Sequence, residues 1–316
     1  MSGSDILAKA MRLVFASRPS ALALYQTHWV IQAFQTLLPD LTCEKRIITT
    51  QGDRTLDRSL PEIGGKGLFT EELEGELLSG AVDCAVHSLK DLPIDSPNDL
   101  TIGCIPTRVD ARDVLISSNH YTLDTLPEGA SVGTSSLRRS AQLLAIRPDL
   151  KVKSLRGNVD SRVKKAIQGQ YDAILLAGAG VIRLGLEEHI SQWLPTEVIL
   201  PAPGQGALAV QCRKSDQLTL GILEQFDDLS TRRAVTAERQ FLLNLGGGCS
   251  APIAAFATTA NDDPGKVTML GRILSLDGRE VINVEGENID PMRLGTDMAQ
   301  RALDQGAHAI LATVGD

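Results

Sequence analysis

The sequence predicts an α/β fold, for three reasons. Apolar, strand-like segments alternate with amphipathic segments from Arg12 to Ala177, which predicts parallel sheets built with right-handed crossovers. The chain has 316 residues, of which 43% are hydrophobic, and this suffices for two or three cores. Beyond Asp227 the pattern changes to alternating strands, which indicates a smaller α+β unit.

The first βα series starts with a strand from Arg12 to Ser17. Ser20 is a good N-cap for a helix from Ala21 to about Leu38, so Arg18 and Ser20 lie at a junction where backbone N–H groups favour an anion. Thr50–Gly67 contains glycines and a proline without periodicity, and we expect a long loop there. The other expected elements are strands at Arg46–Thr49, Val82–Val86, Leu100–Ile105 and Val114–Ser117, and an acidic helix at Phe69–Leu78.

A second βα series starts at Ala130. After it ends, Ala207–Cys212 forms a lone strand, and we expect this strand to return to the first sheet. The elements of the second series are strands at Ser131–Thr134, Lys151–Leu155 and Tyr171–Ala177, and helices at Ser136–Ile146 and Val159–Ile167.

The C-terminal part mixes helices with alternating strands, and Asp277-Gly278 marks a turn between two of them. Its expected elements are helices at Ser230–Leu245 and Asp290–Gln305, and strands at Ile253–Thr258, Lys266–Ser275, Glu280–Glu285 and Ala309–Thr313.

Composition excludes several classes of protein. The formal net charge of −8 argues against broad nucleic-acid binding. Five scattered cysteines and five scattered histidines indicate neither a disulfide framework nor a metal site. The apolar run Leu13–Ala16 is too short for the core of a signal peptide, and no segment is long enough to span a bilayer. We therefore expect a cytoplasmic protein without membrane contacts.

The stretch Val82–Pro93 changes abruptly from apolar to polar. His87, Ser88, Lys90 and Asp91 follow a segment suited to a buried strand. Ligands of open α/β sheets bind just beyond the carboxyl ends of strands, so the stretch indicates a site. Turn residues whose charges face water would give the same pattern, and this stretch alone leaves both interpretations open.

Six arginines recur at the predicted boundaries between strands and helices. Guanidinium groups suit bidentate recognition of carboxylates or phosphates, and these six are expected to line one cleft. A surface ion pair explains any single arginine better, because acidic residues are in excess, but it explains six at equivalent positions less well. The six are Arg18, Arg138, Arg139, Arg156, Arg162 and Arg183.

Three glycine patterns fail as nucleotide sites. Gly178-Ala-Gly180 is followed by Arg183, where a third glycine is needed, and Gly204-Gln-Gly206 precedes a strand instead of opening a helix. Gly64-Gly-Lys-Gly67 lacks the spacing of a phosphate-binding loop. We therefore expect no nucleotide.

Cys249 differs from the other cysteines, which lie in or beside apolar strands. It follows the run Gly246–Gly248, directly after the helix that contains Glu238 and Arg239. The alternative explanation is that a glycine ends the helix and that the cysteine after it has no function. This explanation accounts for only one of the three glycines. Three glycines leave the thiol open to a bulky group, and an open thiol is a reactive nucleophile.

Six segments, in the same order and over most of the chain, resemble those of the hydroxymethylbilane synthase (porphobilinogen deaminase) family. One departure is Ala251, because the family usually has a β-branched residue before Pro252; it removes no functional group. The six are Gly64-Gly-Lys-Gly, His87-Ser-Leu-Lys-Asp-Leu-Pro93, Gly133-Thr-Ser-Ser-Leu-Arg-Arg139, Ser154-Leu-Arg-Gly-Asn158, Pro203-Gly-Gln-Gly206 and Glu238-Arg to Gly-Gly-Cys249.

The resemblance implies a transferase of haem and chlorophyll biosynthesis that joins four porphobilinogen molecules head to tail. It releases ammonia at each step and then frees hydroxymethylbilane by hydrolysis. One dipyrromethane cofactor per chain is implied, held by a thioether that maps to Cys249, and no metal. The catalytic carboxylate maps to Asp91, which would stabilise positive charge and move protons. The family expectation is a monomer.

The remaining site residues follow from the same resemblance and from the donors that pyrrole acetate and propionate groups require. Thr50–Gly67 would be a lid over the cleft. The expected cofactor-binding residues are Lys90, Ser88, Thr134, Ser136, Arg138, Arg139, Arg156, Asn158 and Arg162. The expected substrate-binding residues are Arg18, Ser20, Arg183, Gln205 and Lys66.

The implied architecture is two periplasmic-binding-protein-like (type II) α/β domains with a discontinuous chain, plus a small C-terminal α+β domain. The expected boundaries are 1–107 with 201–226, then 108–200, then 227–316. A non-catalytic solute-binding protein would share the two-domain cleft, but it would carry a secretion signal and have no use for Cys249. A relative that has lost its cofactor would not need Asp91, Cys249 and the arginines together.

Overall fold

The computed structural model describes residues 12–54, 67–95, 97–248, 251–259 and 265–313. The described residues form two compact units. Unit 1 takes its residues from Met1–Arg108 and Ala207–Asp228, and unit 2 from Val109–Gly206 and Leu229–Asp316. The three-domain boundaries expected from the sequence stay a prediction.

Strands from the described residues form three sheets, one in unit 1 and two in unit 2. The strands are β1 (Arg12–Ser17), β2 (Thr42–Ile47), β3 (Cys84–Ser88), β4 (Leu100–Cys104), β5 (Asp113–Ile116), β6 (Ser131–Gly133), β7 (Lys151–Lys153), β8 (Ala173–Ala177), β9 (Ile190–Trp193), β10 (Leu208–Arg213), β11 (Ile253–Thr259), β12 (Val267–Leu274) and β13 (Val281–Asn288).

Side-chain caps begin several helices, as local sequence predicts: Ser20 caps α1 and Ser136 caps α4. A short 3-10 turn at Leu89–Asp91 follows β3, and others lie at Glu187–His189 and Glu224–Phe226. The helices are α1 (Ala21–Leu37), α2 (Gln51–Arg54), α3 (Glu71–Leu78), α4 (Leu137–Ile146), α5 (Val159–Ile167), α6 (Gly178–Arg183), α7 (Gln217–Leu223), α8 (Leu229–Asn244), α9 (Pro291–Asp304) and α10 (Ala307–Ala312).

The two five-stranded sheets share one arrangement, in the orders β2-β1-β3-β10-β4 and β7-β6-β8-β5-β9. In each sheet the first three strands are parallel and the fourth is antiparallel to both of its neighbours. β10 therefore joins the first sheet, as predicted. An all-parallel sheet is wrong, because β5 and β10 enter their sheets from the other unit and no crossover helix makes them parallel.

The α/β class and the small C-terminal α+β part are confirmed, but some elements differ from expectation. The strand expected at Ala309–Thr313 is wrong: α10 lies there, because its alanine-rich run favours a helix and buries Ala307 and Ile310 at helical spacing. The strand expected from Arg46 begins at Thr42, and its polar side chains suit a sheet edge. Helix α2 occupies the start of the expected loop, of which 55–66 lie outside the described residues. Strand β9 and helices α6 and α7 were not predicted.

Strand β3 is covered on both faces, and this determines where its last side chains point. Cys84 and Val86 belong to the hydrophobic cluster that also contains α1 residues. Ala85 belongs to the cluster that contains α3 residues. Because side chains alternate along a strand, His87 points to the α3 side and Ser88 to the α1 side.

The C-terminal part of unit 2 has its own core. Its antiparallel sheet has the order β11-β12-β13, and α8 and α9 pack on it. Phe241 of α8 is fully buried among the side chains of this sheet and of α9. Cys249 belongs to this part of the sequence and lies outside the described residues.

Candidate functional site

Asp91 lies at the end of the 3-10 turn that follows β3. Its side chain is exposed, and its carboxylate makes no hydrogen bond within the described part of the chain. The turn itself is anchored, because Leu89 is fully buried and its N–H donates to the Ala207 carbonyl at 3.0 Å. Lys90 between them is half-buried. The turn thus holds an accessible carboxylate on a rigid base beyond a central strand.

Hydrogen bonds hold the end of β3 on both faces of the sheet. On the α1 face, Gln26 Nε2 donates to Ser88 Oγ at 2.8 Å. On the α3 face, His87 Nε2 lies 3.1 Å from Gln211 Oε1, and Gln211 Nε2 donates to Glu74 Oε1 at 2.9 Å. Since the Gln211 oxygen only accepts, His87 donates from Nε2. These contacts determine the position of the turn that carries Asp91.

His87 is neutral at physiological pH. Burial lowers its pKa to about 4, and the positive charge of Arg18 acts in the same direction. Burial also raises the pKa of Glu74. The hydrogen bonds from His87 through Gln211 to Glu74 suit a positioning role, because they connect buried side chains of β3, β10 and α3.

Arg18 and Ser20 lie at the junction of β1 and α1, as predicted. Ser20 Oγ accepts a hydrogen bond from the Ala23 N–H at 3.3 Å. The Arg18 guanidinium makes a bidentate ion pair with Asp53, and its Cζ lies 4.2 Å from the centre of the Phe69 ring. The sequence analysis did not single out Asp53, because it lies in a segment without periodicity.

In unit 2, Arg138 and Arg139 share one buried carboxylate. Arg138 Nη1 donates to Asp113 Oδ2 at 2.8 Å and to the Leu200 carbonyl at 2.6 Å. Arg139 donates to Asp113 Oδ1 from Nε at 3.0 Å and from Nη2 at 2.7 Å. Gln205 Nε2 adds a third donor to Oδ1, at 2.9 Å. Burial raises the pKa of Asp113, but the charges of the two arginines outweigh burial and hold it well below its usual range.

The charges in this network do not balance. Two guanidinium groups face one carboxylate, so a net positive charge is buried with them. Arg138 Nε is buried and has no hydrogen-bond partner among the residues that the structure describes. Because buried donors are normally satisfied, the network has unused capacity for an anion.

Asp113 was also missed by the sequence analysis. It begins β5 and pairs with Ala177 at the end of antiparallel β8. It therefore lies at the sheet edge where the parallel strands β6, β7 and β8 have their carboxyl ends. An acidic residue directly before the apolar run Val114–Ile116 is the one signal that points to it.

Further predicted residues meet at this same edge, after the neighbouring strands β6 and β7. Thr134 Oγ1 accepts from the Ser136 N–H at 3.2 Å, and Ser136 Oγ accepts from the Arg139 N–H at 3.4 Å. Asn158 begins α5 without a side-chain cap. The guanidinium of half-buried Arg156 makes no hydrogen bond among the described residues. Donors are therefore available here.

Three other predicted residues are bound to the protein itself. Arg162 Nε donates to the Gly157 carbonyl at 2.7 Å. Arg183, at the end of α6, donates from Nη2 to the Gly206 carbonyl at 2.9 Å. Gln205 is buried and also donates to the Ala111 carbonyl at 2.7 Å. These contacts fix the side chains in place, and their assignment to ligand binding stays a prediction.

Two predicted residues, Cys249 and Lys66, lie outside the described residues. Within the described ranges, no helix combines the length and apolarity needed to cross a membrane. The same ranges contain no group of three or more acidic, cysteine or histidine side chains suited to a metal ion.

Comparison with known families gives two matches. Residues 13–220 match the family described as "Porphobilinogen deaminase, dipyromethane cofactor binding domain". Residues 232–304 match the family described as "Porphobilinogen deaminase, C-terminal domain". Together these matches extend over most of the chain.

Individual relatives agree with these matches. A porphobilinogen deaminase of Brevibacillus brevis is 51% identical over 298 residues, which cover 94% of this chain and 96% of the relative. One of Roseiflexus castenholzii is 48% identical over 301 residues, which cover 95% of this chain and 98% of the relative.

Among solved structures, the periplasmic VFT2 domain of BvgS from Bordetella pertussis is 18% identical with a TM-score of 0.42, covering 70% of this chain and 89% of that chain. The methionine-binding protein MetQ is 12% identical with a TM-score of 0.41, covering 68% and 89%.

Replacing Asp113 tests how much the buried network contributes to stability. Asp113→Asn leaves two buried guanidinium groups without a counter-ion, and we expect the free energy of unfolding to fall by about 3–5 kcal/mol. The matched control is Asp110→Asn, which breaks the more exposed pair with Arg112 and should cost about 0–1 kcal/mol. Urea unfolding followed by circular dichroism measures both. Equal losses in the two variants would contradict the importance of the network.

The pKa of His87 predicts a pH dependence of stability. Its pKa is about 4 in the folded protein and 6.5 in an unperturbed chain, so the unfolded state binds the proton first as the pH falls. The contribution of neutral His87 is complete above pH 6.5 and is lost towards pH 4, by up to about 1.4 kcal/mol per pH unit. His87→Gln should remove this part of the slope. His28→Gln, on the exposed face of α1, is the control. An unchanged slope in His87→Gln would show that His87 does not titrate in this way.

Proposed function

This chain belongs to the porphobilinogen deaminase family, and from that premise we propose that it joins four porphobilinogen molecules head to tail. Each addition releases ammonia, the chain grows on a covalent dipyrromethane primer, and hydrolysis releases hydroxymethylbilane for tetrapyrrole biosynthesis. The observation that carries the proposal is the match of residues 13–220 with the cofactor-binding domain of this family.

The donors of unit 2 fit a dipyrromethane cofactor, because each of its rings bears an acetate and a propionate. The fit rests on the surplus positive charge around Asp113 and on the unpartnered Nε of Arg138. When bound, the cofactor supplies the pyrrole carbon at which the chain begins to grow. Cys249 would anchor it through sulfur. The residues of unit 2 proposed to hold it are Thr134, Ser136, Arg138, Arg139, Arg156, Asn158 and Arg162.

Asp91 is the proposed catalytic group. When the C–N bond of porphobilinogen breaks, ammonia leaves with the electron pair and positive charge remains on the substrate pyrrole. The Asp91 carboxylate would stabilise that charge, and an Asp91 oxygen would accept the proton that is released once the new C–C bond has formed. Its exposure at the end of a fixed turn supports both roles.

Substrate carboxylates require cations and neutral hydrogen-bond donors of their own. We assign them to Arg18, Ser20, Arg183, Gln205 and Lys66. For Arg18 and Ser20 this rests on their place at the start of α1, where unpaired backbone N–H groups add positive potential. We further propose that the protein has three domains and is a monomeric, cytoplasmic enzyme. It has no nucleic-acid partner in this proposal, because a net charge of −8 disfavours binding to phosphates.

Asp91→Asn tests the proposal with little risk to the fold, since the carboxylate makes no hydrogen bond within the described residues. We expect the purified holoenzyme to consume porphobilinogen about 10²–10⁴-fold more slowly than the wild type, because proton transfer is lost. Asp99→Asn, a nearby exposed carboxylate at the start of β4, should keep the wild-type rate. Full activity in Asp91→Asn would contradict the assigned role, and a wild type that forms no tetrapyrrole would contradict the function.

A further inference from the structure

Asp53 binds the arginine that we assign to substrate. Arg18 donates from Nε to Asp53 Oδ2 at 3.2 Å and from Nη2 to Oδ1 at 2.5 Å. The side chains are only 21% and 8% exposed, so water screens this pair less than an ordinary surface pair. One edge of the guanidinium is therefore committed to Asp53.

Asp53 is itself held in place. Its Oδ2 accepts hydrogen bonds from Thr50 Oγ1 at 2.8 Å and from the Thr50 N–H at 3.1 Å. Burial raises the pKa of Asp53, but the contacts with Arg18 and Thr50 outweigh burial and lower it. The carboxylate therefore stays ionised at neutral pH and points in one direction.

Aromatic packing restricts Arg18 further. The Phe69 ring covers one face of the guanidinium, with Cζ 4.2 Å from the ring centre. Gly52 packs so closely on this ring that a Cβ atom there would lie 2.1 Å from it. The Gly52 N–H donates to the Leu68 carbonyl at 2.9 Å, which ties α2 to the segment that carries Phe69. The guanidinium is thus fixed at one edge and on one face.

The other side of the guanidinium remains available. Arg18 Nη1 makes no hydrogen bond within the described ranges of the chain. Ser20 lies two residues further on, and its Oγ accepts from Ala23, which leaves the hydroxyl proton for another partner. The guanidinium therefore has one fixed edge and one open side.

We propose that Asp53 is a positioning residue, which orients Arg18 so that its Nη1 side binds a carboxylate of porphobilinogen. This inference rests on the proposed function of Arg18. A free arginine side chain samples many rotamers, and ordering it costs binding free energy at each encounter. The Asp53 contact makes that ordering part of the folded protein, so its loss weakens substrate binding without changing the chemical step.

Asp53→Asn tests this, because the amide keeps the size of the side chain and removes its charge. We expect KM for porphobilinogen to rise about tenfold while kcat changes less than about twofold. Asp53→Glu restores the charge and should recover part of the loss. The matched control is Glu44→Gln, which breaks the bidentate Arg12–Glu44 pair, at 2.8 and 2.7 Å, on the exposed edge of the same sheet. It should leave KM unchanged.

The possible results distinguish the role of Asp53 from the proposed function on which it rests. A wild type that does not consume porphobilinogen would overturn the proposed function. An active wild type with an unchanged KM in Asp53→Asn, or with a loss in kcat alone, would overturn the role of Asp53. Equal increases of KM in Asp53→Asn and Glu44→Gln would also overturn it. A tenfold weaker Kd for porphobilinogen in Asp91→Asn/Asp53→Asn than in Asp91→Asn would support it independently of turnover.

Discussion

The ion pairs of Arg138 and Arg139 with Asp113 organise the proposed site of unit 2. Burying three charged groups is costly, and it is tolerated because Asp113 accepts hydrogen bonds from both guanidinium groups and from Gln205. The compensation is incomplete, since one positive charge remains. In surroundings of low dielectric constant that charge attracts an anion more strongly than an exposed arginine does. The same network thus links the fold of unit 2 to the carboxylate site that we propose there.

In unit 1 an aspartate also pairs with an arginine, but here one carboxylate faces one guanidinium group. Asp53 and Arg18 form a one-to-one pair, so this contact orients a cation without leaving a surplus from the pair itself. In both units an aspartate pairs with the arginines that we assign to ligand binding. The proposed catalytic residue contrasts with both, because Asp91 is exposed and its position depends on backbone anchoring at Leu89. The position of a charged group can thus be fixed either by a counter-ion or by the backbone turn that carries it.

Features that depend on neighbouring residues were predicted correctly from the sequence. Ser20 and Ser136 begin their helices as predicted, because capping depends on neighbouring residues. The direction of β5 and the helix α10 depend on distant packing, which the local pattern does not contain. The motifs identified Arg138 and Arg139 but not their shared partner. Asp113 lies more than twenty residues earlier in the chain, and only the antiparallel pairing of β5 with β8 brings it to the same edge.

We propose that the surplus positive charge beside Asp113 binds the carboxylates of a primer held by sulfur at Cys249. The intact mass of the purified native polypeptide tests it most directly. We expect the mass of the wild type to exceed that of the translated sequence by two pyrrole units, and Cys249→Ala to have the bare sequence mass. A wild type with only its sequence mass that still polymerises porphobilinogen would contradict the account.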